Sequence, residues 1–191
     1  DRFPIVIEDY IAANTSIGGG FPNVEFKVQK SGKVEFLYYC GMRVTPQGSF
    51  RGVEIHHSVV SDNVEAQMVD TGFFVGEQYA KAGYRGYYGV DFVGGRGGEL
   101  FVTESNVRRT GGTHVYAVAS RLFGKEFMYE TYTLSCNTYE LPEGKKFTFT
   151  TLLQTLEPVL FNKKTREGVI LVSENMLAMG QMQYIIFGQN K

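Results

Sequence analysis

The chain has 191 residues, 43% of them hydrophobic, which is enough for one domain with a sizeable core. Its 19 basic and 20 acidic residues leave a net charge of −1, so we expect neither a nucleic acid nor an anionic membrane surface as a partner. No apolar run in the sequence approaches the length of a membrane span. Cys40 and Cys136 lie far apart, which argues against a disulfide framework and favours the cytoplasm as the location.

The first third of the chain is predicted to be rich in β-structure. Apolar and polar residues alternate over residues 24–28 and 34–40, on either side of a turn at residues 30–33, which is typical of a hairpin. The apolar phrase at residues 3–12 predicts one more strand. Residues 41–57 are predicted to form a loop-rich passage that ends in a short strand.

The principal helix is predicted from Asp62 to Ala82, because apolar residues recur there at helical spacing. Asp62 and Glu65 have the spacing of a capping box at its first turn. Gly72 and Gly76 weaken helix formation, so they predict either a break in the helix or a close crossing with a neighbouring element.

Residues 89–109 carry the pattern that is most informative for function. Two alternating apolar runs flank a Gly-rich cluster at residues 94–98, which predicts a second hairpin. Glu104 and Asn106 are two apart on one strand and therefore leave the same face. Asp91 comes from the partner strand, although the sequence does not determine the register that sets its distance. Magnesium prefers a few carboxylate or amide oxygens together with substrate phosphates, so the pattern predicts a metal site for a polyphosphate.

A plain solvated face is the alternative interpretation of this hairpin, because an acidic residue on each strand is common on a half-buried sheet. The neighbourhood favours the metal site. Glu104, Asn106 and Arg108 alternate on one face, and a Gly-rich turn at residues 110–113 follows directly.

A second helix is predicted over residues 113–123, with Thr113 as its N-cap and Gly124 at its end. Its expected inner face consists of Val115, Val118, Ala119 and Leu122. Beyond it, the pattern predicts a short helix near residues 147–156 and final strands at residues 168–173 and 183–188. These elements together predict a single α+β domain with a mostly antiparallel sheet flanked by helices.

Two segments of the sequence resemble segments of a known family. The phrase GVDFV, a Gly-rich turn and E-x-N-x-R followed by TGG resemble the magnesium-binding segment near the C-terminus of ATP-grasp carboxylate-amine ligases. The opening phrase IVIEDYIAANTS is similar to the hinge strand of that family, which faces the adenine. The wording TESNVRRTGGTH is most similar to the peptide ligases of pheganomycin type.

The resemblance implies roles for particular residues. The implied magnesium ligands are Asp91, Glu104 and Asn106. Arg108 is the implied catalytic residue, close to the transferred phosphoryl group. The implied adenine-facing residues are Ile7, Glu8 and Tyr10.

The implied activity is the ATP-dependent joining of a small-molecule carboxylate to an amine through an acyl phosphate, with ATP and Mg²⁺ as cofactors. The phosphate-gripping lysine, the Gly-rich lid and the preceding domain of the family have no counterpart in these residues. We therefore expect residues 1–191 to be the C-terminal fragment of a longer ligase, inactive without its N-terminal half and prone to self-association. The alternative is a non-catalytic binding or interaction module derived from the same fold.

Overall fold

The computed structural model describes residue 5 and residues 7–189, and its centre is an eight-stranded sheet. The strands are β1 (Pro22–Val28), β2 (Val34–Val44), β3 (Phe50–Ile55), β4 (Gly86–Gly94), β5 (Leu100–Asn106), β6 (Tyr132–Glu140), β7 (Gly168–Ser173) and β8 (Gln181–Gly188). The helices are α1 (Asp62–Lys81), α2 (Thr113–Phe123), α3 (Phe127–Glu130) and α4 (Phe149–Leu156). Neighbouring strands pair antiparallel in the order β5-β4-β1-β2-β3-β6-β8-β7. This confirms the predicted α+β class with an antiparallel sheet.

Helix α1 begins and ends close to the predicted residues, but its first turn differs. Ser61 occupies the N-cap position, and its side chain makes no capping hydrogen bond. The predicted capping box of Asp62 and Glu65 is therefore wrong. The physical reason is a competing partner, since the Glu65 carboxylate accepts a hydrogen bond of 2.9 Å from the Tyr39 hydroxyl on the sheet.

The two glycines inside α1 allow a close crossing with the sheet, and the helix is continuous through both. A Cβ at Gly72 would lie 2.0 Å from the ring of Phe26, and one at Gly76 would lie 1.9 Å from the Tyr88 hydroxyl. The Tyr88 hydroxyl in turn donates to the Gly72 carbonyl at 2.8 Å. The lower helix propensity of glycine is thus offset by packing that no larger residue permits.

Helix α2 covers part of the opposite face of the sheet. Tyr116 stacks on Tyr38 of β2 at a centroid distance of 5.4 Å, and Val115 and Ala119 are fully buried, as predicted. Leu122 is 36% exposed, so its place on the inner face is wrong. The N-cap is Gly112 rather than Thr113, whose hydroxyl accepts from the backbone N–H of Thr110 at 2.9 Å.

Two further predictions differ from the structure. The strand predicted for residues 3–12 is wrong for the described part of that segment, residues 5 and 7–12, which has no strand. Directly after this segment, Ala13 forms an isolated bridge with Gly95, the residue that follows the end of strand β4. Conversely, β6 was not predicted, because its buried positions include the polar residues Thr133 and Ser135, which hide the apolar alternation.

Within residues 7–189 no helix is long and apolar enough to cross a membrane.

Candidate functional site

A polar cleft lies on the face of the sheet that α1 leaves uncovered. Its volume is about 270 Å³. Two rows of directly paired residues run across β2, β1, β4 and β5 beneath it. The first row is Cys40, Asn23, Asp91 and Glu104, and the second is Tyr38, Glu25, Gly89 and Asn106. The sheet thus brings the three predicted metal ligands together with two residues of β1, Asn23 and Glu25.

A β-bulge decides which residues meet. Asp91 is paired with Glu104, whereas the next residue of β4, Phe92, is paired with Val102. Thr103 is the extra residue of the bulge, and its hydroxyl donates to the Asp91 carbonyl at 3.1 Å. The bulge turns the Glu104 side chain to the same face as Asp91, since bulges re-aim side chains at the point where they interrupt a ladder.

The three predicted ligands converge on one point. The Asn106 amide nitrogen donates to Asp91 Oδ2 at 3.1 Å and to Glu104 Oε1 at 2.7 Å. Two carboxylate oxygens therefore lie within hydrogen-bond distance of a single atom. Among the described residues, no cation forms an ion pair with either of these two carboxylates.

The orientation of the Asn106 amide differs from that of a metal ligand. Its nitrogen faces the two carboxylates, while its oxygen accepts a hydrogen bond of 2.8 Å from Arg108 Nη2. A donor N–H group between two anions reduces their repulsion, as a cation would do more strongly. A half-turn of the amide would present its oxygen alongside the carboxylate oxygens and would break the bond to Arg108.

The Asp91 side chain is held in place by a hydrogen bond from Asn23 of β1. Asn23 is 4% exposed and donates to Asp91 Oδ1 and, at 3.3 Å, to the Val90 carbonyl. Burial raises the pKa of Asp91 to about 6, the hydrogen bond from Asn23 lowers it, and the Glu104 carboxylate raises it further. The Cys40 thiol donates to Asn23 Oδ1 at 3.6 Å and so helps to orient this amide.

Glu25 forms the inner end of the cleft together with Tyr38. Both side chains are only 1% exposed, and both line the cleft. Burial raises the pKa of Glu25 to about 7, and the charge of Asp91 adds to the rise, whereas Thr110, Asn23 and Arg108 lower it.

Sequence analysis missed Asn23, Glu25 and Tyr38 as residues of the cleft. Asn23 and Glu25 alternate with Val24 and Phe26, which is the ordinary pattern of a strand with one solvated face. No signal in the chain distinguishes a buried polar face from a solvated one, because the covering residues come from distant elements.

The predicted adenine-facing residues lie elsewhere. Ile7 is 91% exposed and Tyr10 is 92% exposed, Glu8 is exposed as well, and none of the three lines the cleft. Arg108 is exposed at the mouth of the cleft, with Gly111 and Gly112 at the start of α2 beside it.

The three predicted ligands offer two carboxylates and one amide. Within residues 7–189 no group of three or more His, Cys, Asp or Glu side chains is placed to hold a metal ion. The set nevertheless fits the chemistry of magnesium, which takes few protein ligands and keeps water or phosphate oxygens in its other positions.

Comparison with known proteins finds no match by sequence but finds matches by structure. No protein-family model matches the sequence, and no curated protein matches it either. Among solved structures, biotin carboxylase from Campylobacter jejuni in complex with β-γ-ATP matches with a TM-score of 0.58 and 10% identity over 90% of this chain. The ATPase subunit of phosphoribosylaminoimidazole carboxylase from Aquifex aeolicus matches with a TM-score of 0.60 and 11% identity over 97% of this chain. The N5-carboxyaminoimidazole synthetase from Staphylococcus aureus, in complex with ADP, matches with a TM-score of 0.58 and 11% identity over 96% of this chain.

These likenesses, together with the antiparallel sheet, show that the chain has the ATP-grasp fold. The resemblance found in the sequence is confirmed at the level of the fold. The chain spans 42%, 54% and 48% of the three matched chains. The narrower resemblance to ligases of pheganomycin type stays a prediction.

Proposed function

We propose that this chain forms the magnesium-binding and phosphate-binding part of an ATP-dependent carboxylate-amine ligase. The observation that carries the proposal is the convergence of Asp91 and Glu104 on the Asn106 amide, with no protein cation paired to either carboxylate among the described residues. The ATP-grasp fold supports it, because two of the matched proteins are described with ATP-like or ADP ligands.

In this proposal Asp91, Glu104 and the oxygen of Asn106 hold Mg²⁺. The ion would neutralise negative charge on the phosphates of ATP. Rotation of the Asn106 amide toward the ion gives up its bond to Arg108, which leaves the guanidinium free to pair with phosphate oxygens. A guanidinium suits this role because its planar fork binds two oxygens at once.

The proposed reaction joins a small-molecule carboxylate to an amine. The carboxylate attacks the γ-phosphorus of ATP, ADP leaves, and the amine displaces phosphate from the resulting acyl phosphate. Ile7, Glu8 and Tyr10 keep their proposed role beside the adenine, although the cleft described above does not include them. The cytoplasm remains the proposed location, because both cysteines are free thiols.

Complete activity is proposed for a longer protein that contains this chain. The support is the share of the matched chains that it spans, 54% or less in all three cases. A second wall of the nucleotide site would then come from the remaining part of that protein, and we expect weak or no ATP binding by residues 1–191 alone.

The metal site is tested by titrating Mg²⁺ into the 191-residue chain and its variants by calorimetry. We expect Glu104→Gln and Asp91→Asn each to weaken Mg²⁺ binding at least tenfold. Loss of a residue that only hydrogen-bonds to a metal ligand already weakens metal binding about 10–100-fold, and loss of a ligand itself should cost no less. Glu99→Gln is the matched control, because Glu99 is an exposed carboxylate in the turn of the same hairpin. Equal Mg²⁺ affinity in all four proteins would refute the site.

The reaction is tested in the longer protein by measuring ADP release from ATP with candidate amino acids. Release that stops in the Glu104→Gln variant supports the ligase. Release that ignores this substitution, with Mg²⁺ binding still dependent on Glu104, would favour the non-catalytic binding module instead.

A further inference from the structure

The inner end of the cleft contains two buried polar atoms that lack a protein partner. They are Glu25 Oε2 and the Tyr38 hydroxyl, neither of which hydrogen-bonds to any described residue. Both side chains are 1% exposed and both line the cleft. A buried carboxylate oxygen without a donor is costly, so such an atom in a folded protein calls for a ligand or an ordered water.

The two atoms belong to one small space. Tyr38 and Glu25 are direct partners in the β1–β2 ladder, so their side chains leave the sheet side by side. Glycines border this space on two sides. A Cβ at Gly89 would lie 2.6 Å from Glu25 Oε1, and a Cβ at Gly112 would lie 2.5 Å from the Tyr38 hydroxyl. A side chain at either position would collide with one of these two residues, so only glycine keeps this end of the cleft open.

The charge of the space favours a cation. Three carboxylates line the cleft, those of Glu25, Asp91 and Glu104, against the single guanidinium of Arg108. An anion would be repelled here, whereas a cation would compensate the buried negative charge of Glu25 in its ionised form.

An ammonium group matches these requirements better than a second magnesium ion. It carries three N–H donors, enough for Glu25 Oε2, the Tyr38 oxygen and one further acceptor. Magnesium demands near-octahedral oxygen coordination and sheds water reluctantly, which a buried carboxylate and hydroxyl do not provide for.

We propose that the inner end of the cleft binds the amino group of the amine substrate, with Glu25 and Tyr38 as its hydrogen-bond acceptors. The assignment rests on the proposed ligase function, in which an amine is the second substrate. Glu25 lies in the same cross-strand row as Asn106, separated from it by Gly89, so the nitrogen is held beside the proposed metal ligands.

The probe for this site is methylammonium chloride, with methanol as a neutral molecule of the same number of heavy atoms. Each is titrated at pH 8 into the ¹⁵N-labelled 191-residue chain, and the backbone amides of Gly89 and Gly112 report binding by NMR. We expect saturable shifts with methylammonium and none with methanol. Glu25→Gln should weaken methylammonium binding at least tenfold, since a hydrogen bond to a charged group contributes about 1.5–3 kcal/mol.

Tyr38→Phe is the second variant, because it removes the hydroxyl but keeps the ring that stacks on Tyr116. We expect it to weaken methylammonium binding several-fold. Glu143→Gln, at an exposed carboxylate outside the cleft, is the control and should bind as the unmodified chain does. The proposal would be overturned if methylammonium caused no shifts, or if methanol caused equal shifts. It would also be overturned if Glu25→Gln bound methylammonium with an affinity within twofold of that of the unmodified chain. A water would then be left in this space.

A Mg²⁺ titration of the same samples separates this inference from the proposed function. Mg²⁺ binding that depends on Glu104, without methylammonium binding, overturns the amine site alone. Methylammonium binding that depends on Glu25, without any Mg²⁺ binding, supports a cation-binding inner end and refutes the metal site of the ligase.

Discussion

Glutamine in place of Glu25 should make the chain more stable above neutral pH, although it removes a charged residue from the proposed site. The carboxyl is 1% exposed, and burial raises its pKa from the ordinary value of 4.5 to about 7. The folded state therefore holds the proton more tightly than the unfolded state does. The resulting stabilisation is complete below pH 4.5 and is lost as the pH rises to about 7.

The size of the effect follows from the same two values. The difference between a pKa of 4.5 and one of about 7 corresponds to about 3 kcal/mol of unfolding free energy, at 1.36 kcal/mol for each pH unit. This is an upper bound, because Asp91 titrates nearby and shares part of the electrostatic cost. Glutamine keeps the size of the side chain and has no charge to bury.

Urea unfolding followed by circular dichroism measures the difference between the two proteins from pH 4 to pH 8.5. We expect the Glu25→Gln chain to exceed the original by up to about 3 kcal/mol at pH 8 and to equal it near pH 4. Glu99→Gln, at an exposed site, should show no such pH dependence. A difference that is constant with pH would show that folding does not raise the pKa of Glu25. A Glu25→Gln chain that is less stable at pH 8 would show that favourable contacts of the carboxylate outweigh its desolvation.

Four further substitutions test the packing of α1 and the support of the proposed metal site. Gly76→Ala should destabilise the chain by about 1–3 kcal/mol despite its better helix propensity, and Tyr88→Phe in the same chain should recover part of the loss, as thermal unfolding would show. Asn23→Ala removes a bond that lowers the pKa of Asp91, so calorimetry should find Mg²⁺ binding weakened more at pH 6.5 than at pH 8. Gly89→Ala should weaken Mg²⁺ binding, because the new methyl group displaces the side chains of β1; unchanged affinity would contradict this packing.

Much of the secondary structure could be predicted from local patterns. The β1–β2 hairpin, α1, the β4–β5 hairpin and the last two strands follow from the spacing of apolar residues and from glycine-rich turns. The spacing of Glu104 and Asn106 likewise places both on one face, since side chains alternate along a strand. These features depend on neighbours in the chain, and they hold in the structure.

The strand β6 and the segment before Ala13 show where local patterns mislead. β6 forms because β3 and β8 pair with both of its edges, although its buried face includes Thr133 and Ser135. Residues 7–12 have the composition of a strand, but they have no strand partner within the described part of the chain. Pairing between distant segments decides both cases.

By itself the sequence determined the kinds of side chain in the proposed metal site and the strands that carry them. Only the tertiary structure decided that a bulge at Thr103 sets Glu104 opposite Asp91, and that Asn23 and Glu25 of β1 lie beneath the same cleft. The physical reason is that a one-residue change of register moves every side chain to the other face of a sheet. Register is set by hydrogen bonds between strands far apart in the chain, whereas side-chain chemistry is set residue by residue.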